Sequence, residues 1–148
     1  MIEIRKIQPE ETYAIRLEVL RKGMDLPVQF SGDEDIKTFH LGIFEGHKLK
    51  GICSFMETAN ALFEAPQFQL RGMATLLEDR GKGFGRLLLL KGIEILKDKG
   101  VKVLWCNARV NAVDFYIKLG FVQNGASFNI PQVGHTIGCI KHYSVRFY

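Results

Sequence analysis

The run Arg80-Gly81-Lys82-Gly83-Phe84-Gly85-Arg86 has the residue types and spacing to hold an anion. Residues Gln67–Leu77 before it read as a strand. Leu89, Ile93 and Leu96 after it recur at helical spacing, so the run is a turn opening a helix. A helix start leaves backbone N–H groups unpaired and carries roughly half a positive charge. Glycines let the backbone approach an anion closely and take positive φ angles. With Arg80, Lys82 and Arg86 around the same point, the turn suits a pyrophosphate. A Walker loop needs Gly-Lys-Ser/Thr, which does not occur here. A Rossmann fingerprint spaces its glycines G-x-G-x-x-G in the first unit of a parallel sheet; here the spacing is Arg80-x-x-Gly83-x-Gly85, after antiparallel strands.

The elements that must position this turn follow from periodicity. Residues 1–7 alternate as a first strand. Pro9, Glu10 and Glu11 suit a helix start, and Tyr13, Leu17 and Leu20 give a stripe ending at Gly23. Residues 24–35, with Pro27, Gly32 and the acidic run Asp33-Glu34-Asp35, form a mobile loop or a short second helix. Strands at His40–Glu45 and Leu49–Glu57 are joined by a turn at Gly46-His47-Lys48. After Ala65-Pro66 comes the longer strand, with Gly72 as a bulge or close-approach point. Gly100 ends the following helix. Val101–Cys106 is apolar on both faces, as a central strand should be, with Trp105 in the core. Ala112, Phe115, Tyr116 and Leu119 mark another helix, ended by Gly120. Strands at 121–129 and 136–147 complete an α/β domain. The expected sheet is mixed and mostly antiparallel, with a central parallel pair, flanked by helices.

The chain has 148 residues, 47% hydrophobic and 24% charged, with a net charge of +4. That accommodates one domain over 1–148 with a single core. No apolar run approaches a membrane span, and the N-terminal residues lack a secretory core, so a cytoplasmic location is the default. Cys53, Cys106 and Cys139 are widely spaced and show no metal-ligand pattern, so no metal is expected. The positive residues are scattered, without the aromatic-interleaved stripe of a nucleic-acid binder.

Arg-Gly-Lys-Gly-Phe-Gly after Met73-Ala74-Thr75-Leu76 resembles the acyl-CoA signature of the GNAT superfamily of N-acetyltransferases, Arg/Gln-x-x-Gly-x-Gly/Ala. Asn107-Ala-Arg-Val-Asn111-Ala112, running on to Phe115-Tyr116 and Gly120-Phe121, resembles its second signature. Phe128-Asn-Ile-Pro-Gln-Val-Gly-His135 is similar to a tail seen in some bacterial members. The resemblance covers nearly the whole chain and implies the GNAT acyl-CoA N-acyltransferase fold, splayed between its fourth and fifth strands. It implies acetyl-CoA as acyl donor and a primary amine, on a small molecule or a protein, as acceptor. By resemblance, backbone amides of Gly81, Gly83, Phe84 and Gly85 hold the pyrophosphate, helped by Arg80, Lys82 and Arg86. Met73, Ala74 and Thr75 pair with the pantetheine arm, Asn107 and Asn111 contact the cofactor, and Tyr116 protonates the leaving thiolate.

Family members often carry a glutamate on the fourth strand as the base. This strand offers Gln67, Gln69 and Arg71 instead, and the candidates left are His40, Glu57, Glu64 and His135. The same residues have plainer readings: Tyr116 as core, Asn111 as a helix N-cap, Asn107 as a strand end, His40 as a satisfied strand residue and His135 as a loop residue. The acidic run reads as a solvated loop, or as a lure for a cationic amine where the family binds substrate. A domain that holds acyl-CoA without turnover is the alternative function. The sequence does not separate a monomer from a homodimer.

Overall fold

Three strands at the N-terminal end form an antiparallel meander. β1 (Ile2–Ile7) pairs with β2 (Phe39–Glu45), which turns at Gly46-His47 into β3 (Lys48–Thr58). The computed structural model describes residues 1–142, so positions 143–147 of the last expected strand lie outside the described residues, as do the side chains of His135 and His142. The other strands are β4 (Gln67–Thr75), β5 (Val103–Arg109), β6 (Val122–Ile130) and β7 (Gly134–His142). The sheet is mixed, in the order β1-β2-β3-β4-β5-β7-β6. Its parallel pair joins Gln67, Phe68 and Gln69 of β4 to Val103, Leu104 and Trp105 of β5, and the register ends there. Gly72, at φ 64°, follows on β4.

The chain divides into two compact units. The first holds Met1–Met56 with Arg71–Leu96, and the second holds Glu57–Leu70 with the residues from Lys97 on. In the first unit, α2 (Phe84–Asp98) buries Leu88, Leu89, Ile93 and Leu96, the face its periodicity marks. Gly92 lies on that face because the Phe55 ring fills the space a Cβ would need. Phe55 in turn stacks on Phe39 at 4.9 Å. A second cluster packs Ile7, Ile15, Phe44, Ile52 and Ala74.

The first helical segment departs from the expected stripe. Pro9–Thr12 is a 3-10 turn, Tyr13–Ile15 a turn of α-helix (α1) and Arg16–Leu20 a π-helical turn. Its inward positions are Thr12, Ile15, Arg16, Val19 and Leu20, a helical spacing, whereas Leu17 is 56% exposed. A hydropathy pattern misses this face because a threonine and an arginine stand on it. Residues 24–35 form turns rather than a helix. Asp33 is buried, not solvated, because Arg16 draws it inward.

In the second unit, Val103, Leu104, Cys106 and Ala108 of β5 are buried, with Cys139 and Ile140 of β7 and Val113 and Tyr116 of α3 (Val113–Lys118). Trp105 is half-buried rather than core, since its indole N–H donates to Thr58 Oγ1 at 3.0 Å. Gln67 organises the loop before β4. Its amide donates to Asn60 O and Phe63 O, and its carbonyl accepts from Thr58 Oγ1 and the Asn60 N–H.

Candidate active site

The glycine-rich turn stands on the run from β4 through a 3-10 turn (Leu77–Asp79) into α2. Gly81 and Gly83 take φ of 83° and 79°, and a Cβ at either would meet nothing within 4 Å. The backbone therefore borders open space. The first helical hydrogen bond runs from the Leu87 N–H to Gly83 O, so the amides of Phe84, Gly85 and Arg86 precede it. Arg80 and Arg86 are exposed. The Lys82 ammonium is engaged instead with Asp79 Oδ1 at 2.7 Å and Glu45 Oε1 at 3.6 Å.

Asp79 anchors this turn from below. It is buried, with Lys50 Nζ 3.2 Å from its second oxygen. The hydrogen bond from Lys82 holds its carboxyl below the usual range, outweighing burial, with Lys50 adding to the effect. Reciprocally, Asp79 raises the Lys82 pKa. Asp79 is passed over by the sequence reading; an acid three residues before a lysine in a turn is the signal that could have found it.

Met73, Ala74 and Thr75 occupy the end of β4, with Ala74 buried and its neighbours partly so. In the second unit, Asn107 lies exposed on β5 opposite Gly138. Asn111 lies exposed in the 3-10 turn Val110–Ala112 and is not a helix N-cap: Arg109 caps that turn and Ala112 caps α3. Tyr116 is 8% exposed, with Phe115 and Phe121 against its ring edge-to-face at 5.0 and 5.5 Å. Glu57 is exposed near the end of β3, and Glu64 is exposed in the following loop. His135 lies in β7 opposite Asn129, so its backbone is strand rather than loop. The candidates thus fall into two sets, one on β4 to α2 and one on β5 to α3, with Glu57, Glu64 and His135 outside both.

His40 is a structural residue. It is 3% exposed, with Nδ1 2.6 Å from Ser54 Oγ and Nε2 3.1 Å from Asp33 O. The Asp33 carbonyl can only accept, so Nε2 carries a proton and donates to it, while Ser54 Oγ, which accepts from Arg16 at 3.0 Å, lies against Nδ1. Both ring nitrogens are thereby committed inside the protein. Arg16 also forks onto Asp33 at 2.7 and 3.0 Å. Burial works to raise the Asp33 pKa, but hydrogen bonds from Arg16 and the Phe30 N–H and the Arg16 charge hold it below the usual range.

Residues 2–121 match the family model described as the Acetyltransferase (GNAT) family. The chain belongs to the GNAT family. It is 37% identical over 143 residues, 95% of this chain and 96% of the relative, to the uncharacterized N-acetyltransferase YitI of Bacillus subtilis (strain 168). The fold is similar to that of Escherichia coli ElaA, with a TM-score of 0.81 at 15% identity over 96% of this chain and all of that one. It is also similar to an aminoglycoside 6'-N-acetyltransferase complexed with coenzyme A, with a TM-score of 0.78 at 10% identity over 99% of both chains. This GNAT protein has the acyl-CoA N-acyltransferase fold and is an acyltransferase. Among its described residues, no helix is long and apolar enough to cross a membrane.

Proposed function

We propose that this protein moves the acetyl group of acetyl-CoA to a primary amine by direct attack in a ternary complex. The observation that carries the reading is the turn before α2. Its free helix-start amides, two positive-φ glycines facing open space and two exposed arginines fit a pyrophosphate. The relative named as an N-acetyltransferase and the fold neighbour complexed with coenzyme A support the same donor.

Acetyl-CoA supplies a thioester already activated toward amines. In this reading the amides of Gly81, Gly83, Phe84 and Gly85 bind the pyrophosphate, with Arg80 and Arg86 adding charge. Lys82 holds the turn's shape through Asp79. The β4 segment Met73–Thr75 pairs with the pantetheine arm as an added strand pairs with a sheet edge. Asn107 and Asn111 contact the cofactor, and the Tyr116 hydroxyl protonates the departing thiolate. Glu57 and His135 are the candidates for taking the proton from the amine, directly or through water. Residues 1–148 act as one acetyltransferase domain, working in the cytoplasm, where the free thiols of Cys53, Cys106 and Cys139 are at home.

Calorimetric titration of acetyl-CoA into wild type and Gly83→Glu tests the donor site. The expected result is micromolar binding, roughly −8 kcal/mol, lost in the variant. Thiol release across an amine panel then tests transfer. Wild-type protein that binds no acetyl-CoA overturns the reading.

A further inference from the structure

The first unit contains an arginine whose charge no described residue matches. Phe30, buried at 8% exposure, has the Arg16 guanidinium carbon 3.8 Å from its ring centroid, that of Arg71 at 4.5 Å and that of Arg21 at 5.1 Å. Gly72 makes this approach feasible. A Cβ there would stand 3.0 Å from the Phe30 ring and 3.5 Å from Arg16 Nε, and the backbone takes φ 64° to pass. The charge of Arg16 is spent on Asp33, in a two-point fork, with further donation to Val28 O and Ser54 Oγ. Arg21 donates to Pro27 O. Arg71 is half-buried, yet its guanidinium makes no hydrogen bond or ion pair among the described residues. Burial and the repulsion of Arg16 and Arg21 lower its pKa, against a weaker pull from Asp33. Arg16 Nε is likewise buried without a hydrogen-bond partner among the described residues.

An arginine presents up to five N–H donors in a planar fork, and leaving them half-desolvated without an acceptor is unfavourable. The fork matches a carboxylate in two-point geometry. Its place along the chain indicates what arrives there. Arg71 is two residues before Met73, on the strand where the proposed pantetheine arm runs back from the pyrophosphate turn. The reactive end of the arm therefore points toward Gly72 and Arg71. The sequence suggested an acidic acceptor site at Asp33-Glu34-Asp35, but Asp33 is consumed by Arg16, and the cation on β4 reverses the sign.

We propose that the acceptor is an amine that also carries a carboxylate, and that Arg71 binds that carboxylate; this rests on the acetyl-transfer reading above. The Phe30 ring holds the Arg71 guanidinium in place, while the acceptor's amino group is left to face the thioester. Amino acids and small aminocarboxylates are the class this recognises.

The test is thiol release from acetyl-CoA with matched pairs of acceptors: glycine, β-alanine and several L-amino acids, each against its amide, with phosphoethanolamine alongside. The wild type should prefer acid over amide at least tenfold in kcat/KM for its best pair. Arg71→Gln should collapse that preference through KM, with kcat changed less than threefold and acetyl-CoA affinity by calorimetry unchanged. Arg71→Lys, which keeps the charge without the fork, should fall between them. Acids and amides turned over alike, or Arg71→Gln retaining the preference, would overturn the inference and leave acetyl transfer standing. Preference for phosphoethanolamine over every carboxylate would overturn it too. No thiol release by the wild type with any amine would overturn both readings.

Discussion

Arg16 shows how much one residue can govern in this protein. Its side chain is wholly buried, on the inward face of the first helical segment, and its hydrogen bonds reach Val28, Asp33 and Ser54. Its partner Ser54 also lies 2.6 Å from His40 Nδ1. Removing one partner of such a pair leaves a buried charge uncompensated, which costs several kcal/mol. Asp33→Asn should therefore lose about 3 kcal/mol in urea unfolding at pH 7. The pH dependence has a definite sign. Asp33 titrates lower in the folded state than the value of about 3.9 for an unfolded aspartate. Its contribution is full above that value and disappears as pH falls through the folded pKa. The gap between wild type and Asp33→Asn should accordingly narrow below about pH 4; a gap that widens there would contradict the assignment. Tyr116 belongs to the same scale. Packed between Phe115 and Phe121, its ring contacts are ones that phenylalanine also makes. If its hydroxyl protonates the leaving thiolate, Tyr116→Phe should lower kcat about 100-fold with KM little changed. An undiminished kcat would leave it a packing residue.

At the scale of elements, legibility in the sequence depended on what each element asks of its side chains. β1 to β4 were readable from short apolar runs bounded by turn residues, α2 because its buried face follows a helical period, and the turn before α2 because its glycines and basic residues are contiguous. A positive φ at Gly83 needs glycine whatever surrounds it. The first helical segment was not readable, because Thr12 and Arg16 face inward and a π-helical turn follows. Gln67 was equally silent: three of its four hydrogen bonds go to a loop with no periodicity and the fourth to Thr58 at the end of β3. Gly92 lies between these cases. In the sequence it is an unremarked glycine inside a helix, but its reason is the Phe55 ring on β3. Gly92→Ala gains helix propensity of up to about 1 kcal/mol. It also forces a methyl into the ring, and overpacking of this kind costs about 1–3 kcal/mol. With the overlap so severe, packing should win, and urea unfolding should show a net loss of roughly 2 kcal/mol. Gly92→Ala paired with Phe55→Leu should recover part of it, whereas simple additivity would deny that the ring is the cause.

For the whole molecule, the donor side and the acceptor side were unequally visible in the sequence, for a physical reason. The donor turn is contiguous from Arg80 to Arg86, so spacing alone exposes it. The cationic cluster assembles Arg16, Phe30 and Arg71 from three separate stretches, and only the fold brings them to one ring. The net charge of +4 is a further whole-molecule property, and it favours the approach of an anion such as CoA. These features make ligand-linked stability a direct test of the donor assignment, independent of the acceptor. A ligand that binds the folded state alone stabilises it by RT ln(1 + [L]/Kd), which is about 2.7 kcal/mol at a hundredfold excess over Kd. For a chain of this length each kcal/mol moves the melting temperature by about 2–4 °C. Acetyl-CoA at that excess should raise it by roughly 5–10 °C. Gly83→Glu should erase the shift, since it puts a carboxylate where the pyrophosphate belongs. The affinity behind the shift should weaken as salt rises toward 0.5 M, because screening shortens the reach of Arg80 and Arg86. Arg71→Gln should keep the full shift, because Arg71 lies on the acceptor side. A shift lost in Arg71→Gln and kept in Gly83→Glu would mean that the anion binds at the wrong end of β4, and the donor and acceptor assignments would have to be exchanged.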